Sequence, residues 1–323
     1  MRVSVKTPSR LHLGLIDLNG DLGRMFGGIG VGIDWPNVIL EAELADTLLT
    51  SGAESKPVRE MAARFFNVYK IPPKAQIIVR ETIPAHVGLG SGTQLSLAVA
   101  VALAKLFNVN ASVQELTVAM DRAKRTGVGT AIFERGGFVV DGGKATESAD
   151  RPAKFPPLIY RQPFPREWRF IVAIPNLVQG LSNSQENHAF DKLKKMSAEE
   201  VGKICRLTML KLLPALAERD IINFGEALTS IQEVIGAYFA QVQGGKFTRP
   251  DIAECIEYVR AVGAYGVGQS SWGPALYGVF KRDEVNLAFS KIKNYLNKSV
   301  GGEVFVAKPN NKGATVRIVG QTI

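Results

Sequence analysis

An α+β protein in two lobes is what this chain predicts, on three observations. Segments with the two-residue alternation of strands are interleaved with segments of helical spacing. The interval from Arg151 to Pro165 carries Pro152, Pro156, Pro157, Pro163 and Pro165, which preclude a long helix there and read as a crossing between lobes. At 323 residues, 46% of them hydrophobic, the chain is long enough to bury a substantial core. The expected division is 1–160 and 161–323.

The elements follow in order. Arg2 to Thr7 alternates like a strand, and Ser9 to Leu18 continues the pattern. Asn19-Gly20-Asp21-Leu22-Gly23-Arg24 is a turn, and the glycine-rich run Gly27 to Ile33 follows it. A strand is expected around Val38 to Leu44 and a helix over Ser55 to Asn67. Lys74 to Glu81 reads as the strand that delivers the chain into a second glycine-rich loop, behind which an Ala- and Leu-rich helix runs to Leu103. Ser112 to Lys124 reads as a further helix, with Ser112 as N-cap and Glu115 three residues on. In the second half, Trp168 to Ile174 is a strand, and Ser197–Glu218, Ile221–Gln241 and Arg249–Val262 are helices. The tail pairs Glu303–Ala307 with Thr315–Val319 as a hairpin across Pro309–Gly313.

Composition narrows the function. No apolar run reaches the roughly 18 residues of a membrane span, and Met1 to Pro8 lacks the apolar core of a signal peptide, so a cytoplasmic protein is expected. Cys205 and Cys255 stand far apart inside helical patterns, which speaks against a disulfide framework or a cysteine metal site. The formal charge of +9 raises nucleic acid as a partner. Its Lys and Arg are scattered, however, and the cluster Lys192-Leu193-Lys194-Lys195 reads as a solvated face. A basic site for a multiply phosphorylated small molecule accounts for the excess as well.

The most informative stretch is Pro84-Ala85-His86-Val87-Gly88-Leu89-Gly90-Ser91-Gly92-Thr93-Gln94. Three glycines in five positions let the backbone approach an anion, while the helix behind supplies free N–H groups and the positive end of its dipole. The Ser91 and Thr93 hydroxyls add donors. It is not a P-loop, because Thr93 stands where the lysine belongs, and the Rossmann spacing is absent. A glycine turn at a helix start, with no ligand, is the plain alternative.

This loop resembles the second motif of the GHMP kinase superfamily, roughly Pro-x-x-x-Gly-Leu-Gly-Ser-Ser, with Gly92 where those kinases usually carry Ser or Ala. Their first motif corresponds to Thr7 to Ile16, with Arg10 in place of the lysine, and their third to Gly263 to Pro274. The aspartate base of the kinases that use one falls on Gly129, which accepts no proton. The blocks Ser9-Arg10-Leu11-His12, Gly14 to Gly20, Gly27-Gly28-Ile29-Gly30, Phe133 to Gly143, Gln243-Gly244-Gly245 and Gly268-Gln269-Ser270-Ser271-Trp272-Gly273-Pro274 are similar to a non-kinase branch, the β-ribofuranosylaminobenzene 5′-phosphate synthase family of archaeal methanopterin biosynthesis.

That resemblance implies an N-terminal α+β lobe like domain 2 of certain ribosomal proteins, a ferredoxin-like C-terminal lobe, and a homodimer. It also implies a reaction: phosphoribosyl pyrophosphate joins the ring carbon that bears the carboxylate of 4-aminobenzoate or 4-hydroxybenzoate, and pyrophosphate and carbon dioxide leave. Neither a nucleic acid nor a membrane partner follows from it. An ATP-dependent kinase of the same superfamily is the alternative. For the synthase, Gly88, Leu89, Gly90, Ser91, Gly92, Thr93 and Gln94 would hold the pyrophosphate, with Mg²⁺ on its oxygens and no organic cofactor. Asp17 and Asp141 are the carboxylates considered for the metal, each equally a turn or cap residue. Arg10, Arg24 and Arg135 would clamp phosphate or carboxylate, unless they are ordinary surface arginines. His12 is an acid/base candidate or a structural strand histidine, and Glu134 would orient the acceptor. Gln269, Ser270, Ser271 and Trp272 complete the expected substrate contacts, Trp272 either stacking on the aromatic acid or filling the core.

Overall fold

The computed structural model describes residues 1–146, 155–176, 193–243 and 245–320. Lys192, Gly244 and the part of the Pro-rich interval that contains Pro152 lie outside the described residues. The strands are β1 (Arg2–Lys6), β2 (Ser9–Asp17), β3 (Arg24–Ile33), β4 (Ile39–Leu44), β5 (Leu49–Gly52), β6 (Ala75–Glu81), β7 (Phe138–Asp141), β8 (Lys144–Ala145), β9 (Leu158–Gln162), β10 (Trp168–Pro175), β11 (Gly266–Gln269), β12 (Leu276–Lys281), β13 (Gly302–Ala307) and β14 (Thr315–Val319). One sheet runs β14-β1-β4-β6-β5, a second β2-β3-β7-β9 with β8 beside β3, and a third β11-β12-β10-β13.

The first half carries helices α1 (Ser55–Tyr69), α2 (Ser91–Leu106), α3 (Val113–Ala119) and α4 (Val128–Arg135). α2 is apolar on every side, with Leu97, Ala98, Val99, Ala100 and Ala102 all fully buried. A helix of that kind cannot lie on a surface. It packs between α1 and the β1–β4 face, buried from Gln94 to Ala104, with its first turn, Ser91 to Thr93, part-exposed.

The second half carries α5 (Ala198–Leu207), α6 (Leu213–Glu218), α7 (Ile221–Gln243), α8 (Pro250–Ala261) and α9 (Val285–Lys298). Strand β10, helices, β11, β12, helix α9 and β13 form the split β-α-β of a ferredoxin-like lobe, with β10 central. Period-two alternation divides this sheet between two cores. Phe170 and Val172 join the large core that continues into the first lobe and includes Phe224 and Ile231 of α7. Ile171 and Ala173 join a second core with Ile256 of α8 and Ile292 of α9. No helix among the described residues is long and apolar enough to cross a membrane.

Three expectations are corrected. Ser112–Lys124 is not one helix: the capping box forms, with the Ser112 hydroxyl accepting from the Glu115 N–H at 3.2 Å, but α3 stops at Ala119. Arg122 N–H returns to Thr117 C=O at 2.9 Å and Asp121 N–H to Val118 C=O at 3.0 Å, a Schellman closure with Asp121 left-handed at φ 58°. The Ser197–Glu218 helix is interrupted by a π turn, Thr208–Leu212, because Pro214 has no N–H to return to the preceding turn. The tail is not a hairpin. β13 pairs with β10 in the second lobe while β14 pairs with β1 in the first, so a boundary at 160/161 leaves the last strand in the first lobe's sheet. The linking residues are tied to the first half instead: Gly137 N–H donates to Asn310 C=O at 2.7 Å and Ala314 N–H to Phe133 C=O at 2.6 Å. From the sequence no element was expected at β12 or α9.

Helix α7 seats on β11 by backbone contact at Gly225, where an added Cβ would lie 1.9 Å from the Tyr265 carbonyl oxygen. Backbone cannot yield as a flexible side chain does, so Gly225→Ala should cost about 2–3 kcal/mol. Gly202 in α5 has nothing within 4 Å, and Gly202→Ala should gain roughly 0.5–1 kcal/mol from helix propensity. Denaturant unfolding of both variants against the parent chain measures the pair.

Candidate active site

At the glycine-rich loop the backbones of the two lobes come into direct contact. Gly90, left-handed at φ 79°, is the N-cap of α2. Gly88, at φ 95°, lies so close to the loop between β11 and β12 that an added Cβ would stand 2.1 Å from Ser270 C=O. Gly273 mirrors it, with its own added Cβ at 2.1 Å from the Val87 carbonyl carbon. Gly88 C=O accepts from Arg10 Nη1 and from the Ser270 hydroxyl, each at 2.7 Å. The same hydroxyl accepts from the His12 N–H at 2.9 Å. Arg10 N–H donates to Leu89 C=O at 3.1 Å, and Ala275 N–H to Val87 C=O at 3.0 Å. Strand β2, the loop and the β11–β12 connection are thus one hydrogen-bonded unit.

Two cavities open on either side of it. The first, of about 320 Å³, is lined by Gly88, Gly90, Ser91, Gly92 and Thr93 with Arg10, His86, Arg122 and Ser271. Glu54 is the carboxylate on its wall. The second, of about 170 Å³, is lined by Ile235, Phe239, Phe247 and Trp272 with Arg10, His12, Arg125, Gln232, Lys246, Gln269 and Ser271. Its described lining contains no Asp or Glu. Arg10 and Ser271 line both, so the cavities meet at those two residues. Trp272 presents its edge to Phe239, with ring centroids 5.0 Å apart, and is 9% exposed, making it both a core residue and a wall of the apolar cavity.

Arg10, His12, Gln269, Ser271, Trp272 and the Gly88–Thr93 loop are therefore brought together, Ser270 as the buried peg beneath them. Within the loop Leu89 is fully buried core. Gln94 turns away from the cavity and donates to Gly129 C=O at 2.9 Å, joining α2 to α4. The other expected site residues are elsewhere. Glu134 and Arg135 pair with each other at 3.5 Å at the far end of α4, on a separate cavity with Phe155 to Leu158. Glu134 follows Gly129 by five residues of helix, roughly 7 Å along its axis. Arg24 donates to Gly142 and Gly143 C=O, each at 2.7 Å, and holds the turn after β7.

The two carboxylates considered for a metal are engaged with the backbone. Asp17 Oδ1 accepts from the N–H of Asn19 at 2.7 Å and of Gly20 at 2.9 Å, an Asx turn. Asp141 accepts from Gly127 and Gly143 N–H, each at 2.8 Å; burial outweighs these bonds and pushes its pKa up to about 6. Neither lines the two joined cavities. No group of three or more His, Cys, Asp or Glu suited to a metal ion occurs among the described residues.

Sequence reasoning missed Arg122, His86, Arg125, Gln232 and Lys246. Gln232 had a legible signal, a lone amide on the apolar face of α7 between Ile231 and Ile235; it donates to Leu13 C=O at 2.8 Å and accepts from Gln269 N–H at 3.0 Å. Arg122 was hidden by the expectation that the helix runs on to Lys124.

The fold and site place this chain in the GHMP kinase superfamily: the GHMP kinases N terminal domain matches residues 56–137 and the GHMP kinases C terminal domain residues 212–298. Homoserine kinase from Cytophaga hutchinsonii (16% identical, TM-score 0.68, covering 98% of this chain and 97% of that one) and galactokinase from Lactococcus lactis (16%, TM-score 0.69, 97% and 95%) share the fold. Within the superfamily the chain belongs to the beta-ribofuranosylphenol 5'-phosphate synthase family. It is 36% identical to the protein of that name from Archaeoglobus fulgidus, over 97% of this chain and 99% of that one. The namesake from Methanothermobacter thermautotrophicus is 35% identical over 96% and 97%, and that from Methanocaldococcus jannaschii 30% over 96% and 98%.

His12 has a testable consequence. Burial, with the nearby charge of Arg10, pushes its pKa down from 6.5 to about 3. The imidazole is neutral through the physiological range and is not a protonated acid there. Between pH 3 and 6.5 the unfolded chain binds a proton that the folded chain refuses, so stability rises with pH across that window and is lost as pH falls through it. His12→Gln should flatten the acid limb of a stability-versus-pH curve measured by urea unfolding. In the parent chain, ring nitrogen shifts of His12 should stay those of a neutral imidazole from pH 5 to 8.

Proposed function

We propose that this chain condenses phosphoribosyl pyrophosphate with a 4-substituted benzoate, releasing pyrophosphate and carbon dioxide. The observation that carries the reading is the pairing of cavities: a glycine-lined cavity at the head of α2 and an aromatic-walled one meet at Arg10 and Ser271. The first suits a diphosphate, through backbone N–H groups, the helix dipole and guanidinium groups. The second suits a flat aromatic ring. The relatives' name, a phenol bearing ribofuranose 5′-phosphate, favours 4-hydroxybenzoate over 4-aminobenzoate as acceptor.

The step balances without a protein base. The bond from the anomeric carbon to the pyrophosphate oxygen breaks, and pyrophosphate departs with the electron pair. The ring carbon bearing the carboxylate bonds to the anomeric carbon. The carbon–carboxylate bond then breaks, its electron pair restores the aromatic ring, and carbon dioxide leaves. No proton need be removed from the acceptor hydroxyl or amine for turnover. This accords with Gly129 at the position of the kinase aspartate and with a second cavity whose described lining holds no carboxylate. Desolvation by Phe239, Trp272 and Ile235 favours loss of the charged carboxylate as neutral carbon dioxide.

Asp17 and Asp141 are poorly placed for a metal at this site, since Asp17 Oδ1 and both Asp141 oxygens accept from backbone N–H groups and neither residue lines the joined cavities. Magnesium belongs to this reading as the counter-ion of the substrate's pyrophosphate, and no organic cofactor is required. The reading is of a cytoplasmic homodimer acting on small molecules, with neither nucleic acid nor a membrane as partner.

Incubation with phosphoribosyl pyrophosphate, Mg²⁺ and 4-hydroxybenzoate should release pyrophosphate and carbon dioxide one to one, faster than with 4-aminobenzoate, with ATP not consumed. Phosphoryl transfer from ATP to an alcohol, with no carbon dioxide released, would return the chain to the kinases. Arg10 grips Gly88 C=O and lines both cavities; lysine offers one point charge in place of the planar fork. Arg10→Lys should lower kcat/KM for the synthase reaction by roughly tenfold or more, a loss of ~1.4 kcal/mol, and should not create kinase activity. Steady-state rates with both substrates measure this.

A further inference from the structure

We propose that Arg122 binds the pyrophosphate of the ribosyl donor beside the N-terminus of α2. This rests on the synthase reading and adds to it a named residue.

Arg122 lines the phosphate cavity together with Ser91, Gly92 and Thr93. A Cβ added at Gly92 would stand 3.4 Å from Arg122 Nη1 and 3.8 Å from its Cζ and Nη2. These are ordinary van der Waals distances, so the guanidinium lies directly against the first turn of α2. Arg122 Nε is buried and has no hydrogen-bond partner. A buried donor left unmade costs free energy, more so on a charged group, so the side chain is being held in place by something other than its own bonds.

The backbone supplies that hold. The Schellman closure of α3 fixes Arg122 between Asp121 and Ala123, left-handed at φ 58° and 59°, conformations that side chains other than glycine seldom adopt. Asp121 attracts the arginine but gives its Oδ2 to Lys124 Nζ at 2.8 Å and makes no hydrogen bond to the guanidinium. Glu54 is the acidic side chain lining the cavity. A permanent cation and the free N–H groups of a helix start thus line the same space, which suits an anion. The cavity continues past Arg122 into a groove of about 810 Å³ that carries Arg64, Lys124 and Arg125 together with Glu60 and Asp121, which leaves room for the rest of a phosphorylated sugar.

Two phosphate groupings of the donor share this chemistry, so the test uses a probe for each: inorganic pyrophosphate and ribose 5-phosphate, titrated calorimetrically into the full chain at fixed Mg²⁺. Arg122→Ala should weaken pyrophosphate binding roughly tenfold or more while changing ribose 5-phosphate binding little, and Arg122→Lys should recover part of the loss. In turnover, Arg122→Ala should raise KM for phosphoribosyl pyrophosphate and leave KM for the aromatic acid near the parent value. Thermal unfolding of each variant separates misfolding from lost binding; if Arg122→Ala unfolds, Arg122→Gln, which keeps the bulk and loses the charge, is titrated in its place and should show the same loss of pyrophosphate binding. Pyrophosphate binding unchanged in Arg122→Ala, or a loss confined to ribose 5-phosphate, overturns the assignment while the synthase reading stands on the parent chain's release of carbon dioxide. A parent chain that binds no pyrophosphate and releases no carbon dioxide overturns both.

Discussion

The site depends on one close approach, backbone against backbone, between the glycine-rich loop and the β11–β12 connection. Gly88 and Gly273 bring main-chain atoms nearer than any Cβ permits, and the Ser270 hydroxyl bridges Gly88 C=O and the His12 N–H across the contact. A side chain at either glycine would force this contact apart. The body of α2 is buried while the loop at its head is part-exposed, and Ser271 and Gly273 of the second lobe complete the wall of the cavity in front of it. Arg10 and Ser271 then become shared walls as a consequence of topology, since β2 passes under the loop and Ser271 lies over it.

Three positions where this chain departs from the kinase motifs make sense together. Arginine at 10 binds the loop carbonyl and faces both cavities. Glycine at 92 lies in van der Waals contact with a second guanidinium, that of Arg122. Glycine at 129 removes a carboxylate, and a Cβ there would approach Thr93 Cγ2 to 3.0 Å, so the base of the kinases and the threonine of this loop compete for one space. The change at 129 alters the formal charge, by one carboxylate, and the change at 10 replaces a point charge with a planar fork. Such a site suits departure of a diphosphate from a sugar and poorly suits deprotonation of an alcohol.

Much of the fold was legible because it rests on local rules. The alternation of β1, β2, β6 and β10, the capping box at Ser112 and the apolar helix behind the phosphate loop all appear where periodicity and capping put them. The failures were nonlocal. A β13–β14 hairpin satisfies turn chemistry, and Asn310 Oδ1 does turn the chain by accepting from Lys312 and Gly313 N–H, yet the Asn310 and Asn311 carbonyls accept from Gly137 N–H and Arg161 Nη2 and the Asn311 side chain holds Phe164, so the strands on either side pair elsewhere. The end of α3 could not be read from Asp121-Arg122-Ala123, because the left-handed residues there are not glycines. Of the expected site, the glycine motif and Arg10 were legible by resemblance. Glu134, Arg135 and Arg24 shared sequence blocks with the site without sharing its space.

The buried polar groups around the site rank its parts by purpose. Asp141, Arg24 and Gln232 have their hydrogen bonds made within the protein, and each fixes a turn or a strand, which is what a satisfied buried polar group does best. Arg122 Nε is buried without a partner. Gln94 Oε1, Ser96 Oγ and the Tyr277 hydroxyl are buried without partners too, but Arg122 is the one among them that carries a permanent charge and lines the phosphate cavity. Charge sign selects its partner there as an anion.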